Sequence, residues 1–170
     1  MLQQTAIVQS TESSSRIEQV TASPARFHLL MGDKTSPKNR SEQEIVGYRK
    51  ALSLIHTNRS YMPISTSTVL HLHKELFWFS NLGGKYKNSQ NTIIRKEPDG
   101  KQEIVFEPVA PYLTSIEMNN LHSDFKSAWE ADEFNKLLLI ASYILDFSCI
   151  HPFLDGNGRT ARLLTLLLQR

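Results

Sequence analysis

Apolar residues recur at helical spacing along most of this chain. Ser41 and Glu44 form a capping-box pattern, and the residues behind it place Ile45, Tyr48, Leu52 and Ile55 on one helical face. Thr114 and Glu117 form a second capping box before another amphipathic segment. These patterns predict helices starting at Ser41 and Thr114. Further helices are predicted at about 14–20, 68–80 and 134–150, and from about 157 onward.

One central segment has a different pattern. Two short β-type runs, Asn91–Ile94 and Glu103–Phe106, flank the turn residues Pro98, Asp99 and Gly100. They predict a single β-hairpin inserted between helices. Residues 1–15 are polar and rich in Gln, Ser and Thr, so they are interpreted as a loose tail. The fold class is therefore expected to be mainly α with one small hairpin.

The last third of the chain contains two strongly apolar helical segments. Residues 134–150 are apolar on nearly every face, which indicates a buried central helix. This helix should end at or before His151, because Pro152 disfavours helical backbone in the residue before it. The second segment reaches Arg170 without a Gly, Pro or cap. We expect the natural chain to continue beyond that residue.

Composition narrows the class of protein. The 170 residues suit one domain, and the net charge of +2 is too small to favour nucleic-acid binding. Cys149 is the single cysteine, which favours a reducing compartment. The chain has no apolar run of the roughly 18 residues that a membrane span needs, and its N-terminus is not a secretory signal. The expectation is a cytoplasmic protein with no membrane partner.

The turn between the last two helices combines residue types that suit phosphate chemistry. Gly156 and Gly158 precede a helix whose first N–H groups would face a ligand. Arg159 and Arg162 share one face of the first helical turn, where a polyanion would compensate their charge. Taken singly, a Gly-x-Gly pair is commonly a tight turn, and two arginines are commonly a solvated face. Their clustering favours a phosphate site.

Two further side chains at this turn could take part in catalysis. Asp155 lies beside the predicted phosphate site, and a single carboxylate next to phosphates is typical of Mg²⁺ binding. His151 has the pKa class of a general base near neutral pH, although a histidine after an apolar helix is more often structural. Together they indicate ATP-like substrate binding and transfer of a phosphoryl or nucleotidyl group.

The segment HPFLDGNGRTAR, residues 151–162, resembles the HPFx(D/E)GNGRxxR motif of the Fic (filamentation induced by cAMP) family at every fixed position. The resemblance implies a Fic-like helical bundle and an enzyme that transfers AMP from ATP to a protein hydroxyl. By motif position it implies a base at His151 and Mg²⁺ at Asp155. The Doc branch, which phosphorylates, has lysine where Gly158 stands. The implied ATP-binding residues are Asp155, Gly156, Asn157, Gly158, Arg159, Thr160, Ala161 and Arg162.

Two other segments resemble parts of Fic proteins. Residues 84–93 look like the family's flap, a hairpin that docks the target, although Lys87 stands where arginine is usual. Ser14–Glu18 is similar to the inhibitory pattern of Ser or Thr, three residues, Glu, then Gly or Asn, with Gln19 in the last place. Glu18 is thus the implied inhibitory residue. The implied docking residues are Gln90, Asn91, Thr92 and Ile93.

The resemblance leads to a division into an N-terminal segment, residues 1–25, and a Fic domain, residues 26–170. The expected function is an autoinhibited protein adenylyltransferase, or AMPylator, acting on a Ser, Thr or Tyr hydroxyl, with ATP and Mg²⁺. Its partners would be ATP and an unidentified target protein, which could be a copy of the protein itself. The resemblance is also compatible with a homodimer. Removal of AMP, transfer of another phosphate-containing group, and a non-enzymatic regulatory module remain alternatives.

Overall fold

The computed structural model describes residues 2–97 and 100–169. They form a mainly α structure with one two-stranded sheet, as predicted. The chain divides into two compact units, Met1–Pro63 with Ser67–Gly84, and Ile64–Thr66 with Lys85–Arg170. The elements are α1 (Leu2–Ile17), α2 (Pro24–Met31), α3 (Arg40–Asn58), α4 (Thr66–Leu76), β1 (Ile93–Lys96), β2 (Gln102–Phe106), α5 (Thr114–Ala131), α6 (Lys136–Ile150) and α7 (Asn157–Leu168).

In the first unit, α1 and α2 both pack against α3. The predicted apolar face of α3 is buried, as Ile45, Tyr48, Leu52 and Ile55 are each at most 3% exposed. Arg26 of α2 pairs with the buried carboxylate of Glu42 on α3. The hydrogen bonds from Arg26 and from the backbone N–H of Lys38 lower the pKa of Glu42 to about 2. This ion pair therefore stays charged at physiological pH.

The N-terminal region is more ordered than its composition suggests. Residues predicted as a loose tail and a short helix form one helix, α1, which ends at Ile17. Its buried positions are Ile7, Thr11, Ser14 and Ser15, and the three hydroxyl side chains among them are small enough to lie close to a neighbouring helix. The prediction of a loose tail was wrong because most of the buried residues of this helix are Ser and Thr, which do not produce a pattern of apolar residues in the sequence. The sequence pattern also missed α2, which Ser23 caps and Pro24 begins.

Both capping-box predictions were wrong in detail. The side chain of Asn39 accepts the Glu42 N–H, so α3 begins earlier than Ser41. The Glu44 carboxylate pairs with Arg40 instead of capping the helix. A 3-10 turn precedes α5, so Thr114 already has helical geometry and its hydroxyl donates to the Ala110 carbonyl.

The helix predicted at 68–80 is shorter than expected. α4 runs from Thr66 to Leu76, and the residues after it form turns. The Ser80 hydroxyl accepts the N–H of Leu82, a local bond that competes with helical hydrogen bonding. The helix therefore ends before the Gly83–Gly84 pair.

In the second unit, α6 packs against both α5 and α7. The prediction that the 134–150 helix is buried on every face was wrong. Asn135 caps the helix, and only Ile140, Tyr143, Phe147 and Ile150 are buried. The side chains of Leu137, Leu138 and Leu145 are 68%, 59% and 64% exposed. The reason is geometric, because two neighbouring helices among the described residues cover only one side of α6.

The predicted hairpin is confirmed. Strands β1 and β2 pair antiparallel, with Ile94 opposite Ile104 and an irregularity between Ile93 and Ile94. The predicted turn residues Pro98 and Asp99 lie outside the described residues, as does Arg170. Within the described parts of the chain, no helix combines the length and the apolar character needed to cross a membrane. The predicted division at residues 25 and 26 falls within α2 and stays a prediction.

His122 of α5 should make the protein sensitive to acid. It is buried beside Tyr143, with 3.1 Å between His122 Nδ1 and the tyrosine oxygen. Burial lowers the pKa of His122 to about 4, below its ordinary value of 6.5. Between these values the unfolded chain binds a proton that the folded chain does not. We expect His122 alone to lower the free energy of unfolding by about 2 kcal/mol between pH 7 and pH 5.

Urea unfolding of the parent, His122→Gln and His71→Gln at both pH values checks this effect. His71 is exposed on α4 and is the matched control. His122→Gln should remove about 2 kcal/mol of the acid-dependent loss, whereas His71→Gln should leave it unchanged. An equal acid-dependent loss in all three proteins would contradict the assignment.

Candidate active site

The turn between α6 and α7 is held by the side chain of Asn157. Its Oδ1 accepts the Phe153 N–H at 2.9 Å, and its Nδ2 donates to the Phe153 carbonyl at 2.7 Å. Asn157 is 6% exposed, so these bonds are made away from water. The fully buried ring of Phe153 packs near Tyr86 and Phe147. Together these contacts attach the turn to the core of the second unit.

The same turn presents backbone donors at the start of α7. Gly156 caps the helix with φ of +80°, a conformation that favours glycine. The first helical hydrogen bond runs from the Thr160 N–H to the Gly156 carbonyl, so the N–H groups of Asn157, Gly158 and Arg159 precede it. Gly158 is exposed and has no side chain to cover these donors. The geometry suits an anion at the helix start.

Asp155 and Arg159 form an ion pair at this helix end. Asp155 Oδ1 accepts the Gly156 N–H at 2.6 Å and lies 3.2 Å from Arg159 Nη2. The Arg159 side chain is 6% exposed, and the Asp155 side chain is 40% exposed. A cation at a helix N-terminus is unfavourable by itself, and the carboxylate offsets that cost. Arg162 lies one turn further along α7 and is half-buried.

His151 ends α6 with a left-handed backbone, φ 51° and ψ 60°. Its Nδ1 lies 3.3 Å from the Ser148 carbonyl. Because a carbonyl can only accept, this contact favours the tautomer with hydrogen on Nδ1 and a lone pair on Nε2. Burial and, more weakly, the nearby Lys87 ammonium lower the pKa of His151. The imidazole is therefore neutral at physiological pH and able to accept a proton.

The described residues bring the predicted motif side chains together on one turn, from His151 to Arg162. Members of the predicted ATP-binding stretch differ in accessibility, since Gly156, Asn157 and Arg159 are buried and Gly158 is exposed. Thr160 is fully buried, with its N–H used in the helix, and Ala161 is half-buried. A direct contact with a nucleotide is therefore harder for Thr160 than for the exposed Gly158.

The predicted docking residues lie at the base of the hairpin. Gln90 is exposed, and its Nε2 donates to the Pro108 carbonyl at 2.8 Å. Thr92 is half-buried, and Ile93 is 39% exposed. Asn91 instead points its amide at the turn, where it bonds to the carbonyls of His151 and Phe153. Sequence reasoning missed this contact and the role of Lys87 beside it, because no local pattern links residues about sixty positions apart.

A metal ion would find a single carboxylate at this turn. No group of three or more His, Cys, Asp or Glu side chains in residues 2–97 and 100–169 could hold a metal ion. Asp155, partly exposed at the helix start, fits a different arrangement. Mg²⁺ commonly keeps several waters and binds through one or two carboxylates together with substrate phosphates. Glu18, the predicted inhibitory residue, belongs to the first unit and lies one residue after α1.

Known proteins resemble this chain over most of its length. The family model described as Fic/DOC family matches residues 63–169. The chain therefore belongs to the Fic/DOC family. It is similar to two curated relatives named Protein adenylyltransferase Fic. The relative from Drosophila grimshawi is 29% identical over 133 residues, which are 74% of this chain and 25% of that protein. The relative from Aedes aegypti is 28% identical over 174 residues, 96% of this chain and 32% of that protein.

A solved structure also shares the fold. A Fic domain containing signaling protein from Bacteroides thetaiotaomicron superposes with a TM-score of 0.81 at 22% identity. The match covers 95% of this chain and 61% of that one. The Fic-like fold expected from the motif is thus confirmed. The chain spans only about a quarter to a third of the curated relatives it matches.

The Asn157 side chain should be necessary for the turn to keep its shape. Asn157→Asp retains an acceptor for the Phe153 N–H but replaces the donor with a carboxylate facing the Phe153 carbonyl. We expect a loss of about 1–3 kcal/mol in the free energy of unfolding at pH 7. The loss should shrink below about pH 4, where the aspartate is protonated and can donate again. Denaturant unfolding at both pH values measures it.

Asn120→Asp, an exposed change on α5, is the matched control and should cost less than about 0.5 kcal/mol. An Asn157→Asp protein as stable as the control at pH 7 would show that the turn does not depend on this side chain.

Proposed function

We propose that this chain carries protein adenylyltransferase activity, transferring AMP from ATP to a hydroxyl of a protein side chain. The observation that carries the proposal is the pairing, on one turn, of helix-start donors at Gly158 with a neutral His151 base. The names of the curated relatives support the adenylyl group and the nucleotidyltransferase class. Residue 158 is glycine, whereas the Doc branch has lysine at this position. This difference supports the adenylylating branch.

The triphosphate would bind across the start of α7. The N–H groups of Asn157, Gly158 and Arg159 would donate to phosphate oxygens, and Arg159 and Arg162 would add positive charge. Gly156 provides the positive φ that turns these donors toward the ligand. Asp155 would hold Mg²⁺ with water and phosphate oxygens, and the bound ion would offset negative charge on the leaving pyrophosphate. Thr160 and Ala161 would shape this stretch from behind.

His151 would act on the target hydroxyl. Its Nε2 lone pair would accept the hydroxyl proton while the oxygen forms a bond to the α-phosphorus of ATP. The bond between that phosphorus and the bridging oxygen of the β-phosphate would break, and pyrophosphate would leave. The low pKa of His151 serves this step, because a protonated imidazole could not take the proton.

The hairpin would dock the target segment. The apolar side chains of Ile94, Ile104 and Val105 are 43%, 64% and 49% exposed. A two-stranded sheet has open edges, and an extended peptide can add a strand to such an edge. Gln90 and Thr92, just before β1, and Ile93, its first residue, would then contact the target residue's neighbours.

Glu18 would inhibit the activity. Gln19, directly after it, has φ of +56°, the left-handed region that Gly and Asn enter most readily. This position is the one where the inhibitory pattern has Gly or Asn. Ser14 is buried, and its carbonyl accepts the Glu18 N–H at 3.3 Å. The local geometry supports the resemblance, and a carboxylate placed near the arginines of the motif would compete with the γ-phosphate.

His151→Ala should abolish transfer of labelled AMP and leave the fold intact. The reason is that His151 is the only histidine in the motif segment, residues 151–162, and its Nε2 lone pair is the proposed proton acceptor. Incubation with ATP labelled at the α-phosphate, followed by gel detection, measures transfer to the protein itself and to a cell extract. His56→Ala, a change in the first unit, is the control and should label like the parent. Equal labelling by His151→Ala would refute the assignment of the base.

Glu18→Gln should increase AMP transfer, whereas every change in the motif should decrease it. Glutamine keeps the size of the side chain but removes its negative charge, so the positive charge meant for the γ-phosphate becomes available to it, and a correction of about 1 Å in substrate position is worth on the order of a hundredfold in rate. Glu12→Gln, on the exposed side of α1, is the matched control and should leave the rate unchanged. If Glu18→Gln labels no faster than Glu12→Gln, the inhibitory role is wrong.

A further inference from the structure

Four consecutive backbone carbonyls of the α6–α7 turn accept hydrogen bonds from two residues outside it. Lys87 Nζ donates to the Ile150 carbonyl at 3.1 Å, and the Lys87 backbone N–H donates to that of Pro152 at 2.8 Å. Asn91 Nδ2 donates to the carbonyls of His151 at 3.2 Å and Phe153 at 2.7 Å. We call Lys87 and Asn91 the carbonyl clamp.

The turn needs external support because its own backbone offers little. Pro152 has no N–H to donate. His151 has positive φ, which costs energy for a residue with a side chain. The carbonyl of Ile150 belongs to the last turn of α6, where helical partners end. The clamp supplies the donors that such a backbone lacks.

The two clamp residues also hold each other. Lys87 Nζ lies 2.9 Å from Asn91 Oδ1, which orients the amide so that its Nδ2 faces the turn. Lys87 is only 3% exposed, and burial lowers its pKa to about 8. Burying an ammonium group is costly unless its donors are satisfied. Here the ammonium group donates to the Ile150 carbonyl and to the side-chain oxygen of Asn91.

We propose that Lys87 and Asn91 are positioning residues that fix the backbone of the turn and thereby the aim of the His151 imidazole. The clamp begins six residues before β1 and reaches the turn directly, so it also ties the base of the hairpin to the residue that accepts the proton. A target held on the hairpin would then stay in register with His151. This inference rests on the proposed function, since it assigns His151 the role of base.

The decisive variants remove the clamp and leave the motif intact. Lys87→Met loses the ammonium donors, and Asn91→Asp keeps the acceptor for Lys87 but loses the donors to the turn. Lys87→Arg restores a cation and is the conservative variant. Lys126→Met and Asn120→Asp change exposed residues of α5, outside the hairpin and the motif, and are the matched controls.

Two readouts are measured for each folded variant. The first readout is AMP transfer. Lys87→Met and Asn91→Asp should each lower kcat by about tenfold to a hundredfold. The KM for ATP should change less than about twofold, because the clamp bonds run to the carbonyls of residues 150–153 and not to the proposed phosphate donors. Lys87→Arg should recover part of kcat. The second is NMR titration of the His151 imidazole, which needs no activity. Lys87→Met should raise the pKa of His151, because a neighbouring cation is removed.

The two readouts separate the clamp from the proposed function. If the parent transfers AMP and His151→Ala does not, an unchanged kcat in either Lys87→Met or Asn91→Asp overturns the clamp. If the parent transfers no AMP, the proposed function fails, and the NMR shifts of the turn decide alone: unchanged backbone shifts of His151 and Phe153 in both Lys87→Met and Asn91→Asp overturn the clamp, and changed shifts in both variants support it. If Lys87→Met does not fold, Asn91→Asp is used alone. An unchanged kcat, or unchanged His151 chemical shifts where the parent transfers no AMP, then overturns the clamp.

Discussion

The hydrogen bonds between Asn157 and the backbone of Phe153 are the constraint on which the rest of the site depends. They close the chain between α6 and α7, so that the end of one helix and the start of the next lie within a few residues of each other. The proposed base, His151, follows the end of the first helix, and the proposed anion donors lie at the start of the second. A different conformation of this turn would separate the His151 imidazole from the backbone donors at the start of α7.

Electrostatics at the turn are balanced in two ways. Arg159 opposes the dipole of α7, and Asp155 offsets its charge in the absence of an anion. A bound phosphate could take over that compensation, which leaves the carboxylate available for a metal ion. On the other side, the buried Lys87 and the desolvated surroundings keep His151 neutral. The same turn could therefore compensate a bound anion and keep the His151 imidazole neutral. Each pair of neighbouring charges is common in proteins, and it is their combination on one turn that suits the proposed chemistry.

Much of the fold was predictable, because helical periodicity is a local property. The face of α3, the helix pair α6 and α7, and the hairpin followed from residue spacing alone. The errors share a cause, which is competition from contacts that spacing does not contain. Asn39 displaced Ser41 as the cap of α3, and three of the four buried side chains of α1 carry hydroxyl groups. The exposed leucines of α6 show that an apolar composition predicts burial of a helix, whereas the neighbouring helices decide which side of the helix is buried.

The sequence by itself determined the family and predicted the chemical class of the site and the residues that would carry it, because the motif is continuous and its glycines, arginines and histidine each have a limited range of uses. Only the tertiary structure decided how the turn is held. Lys87 looked like a departure from a family pattern and Asn91 like a docking residue, and about sixty residues separate them from the carbonyls they bind. Local sequence encodes the conformations that a turn can adopt, but donors from a distant segment select one of them, and such pairing exists only after the chain has folded.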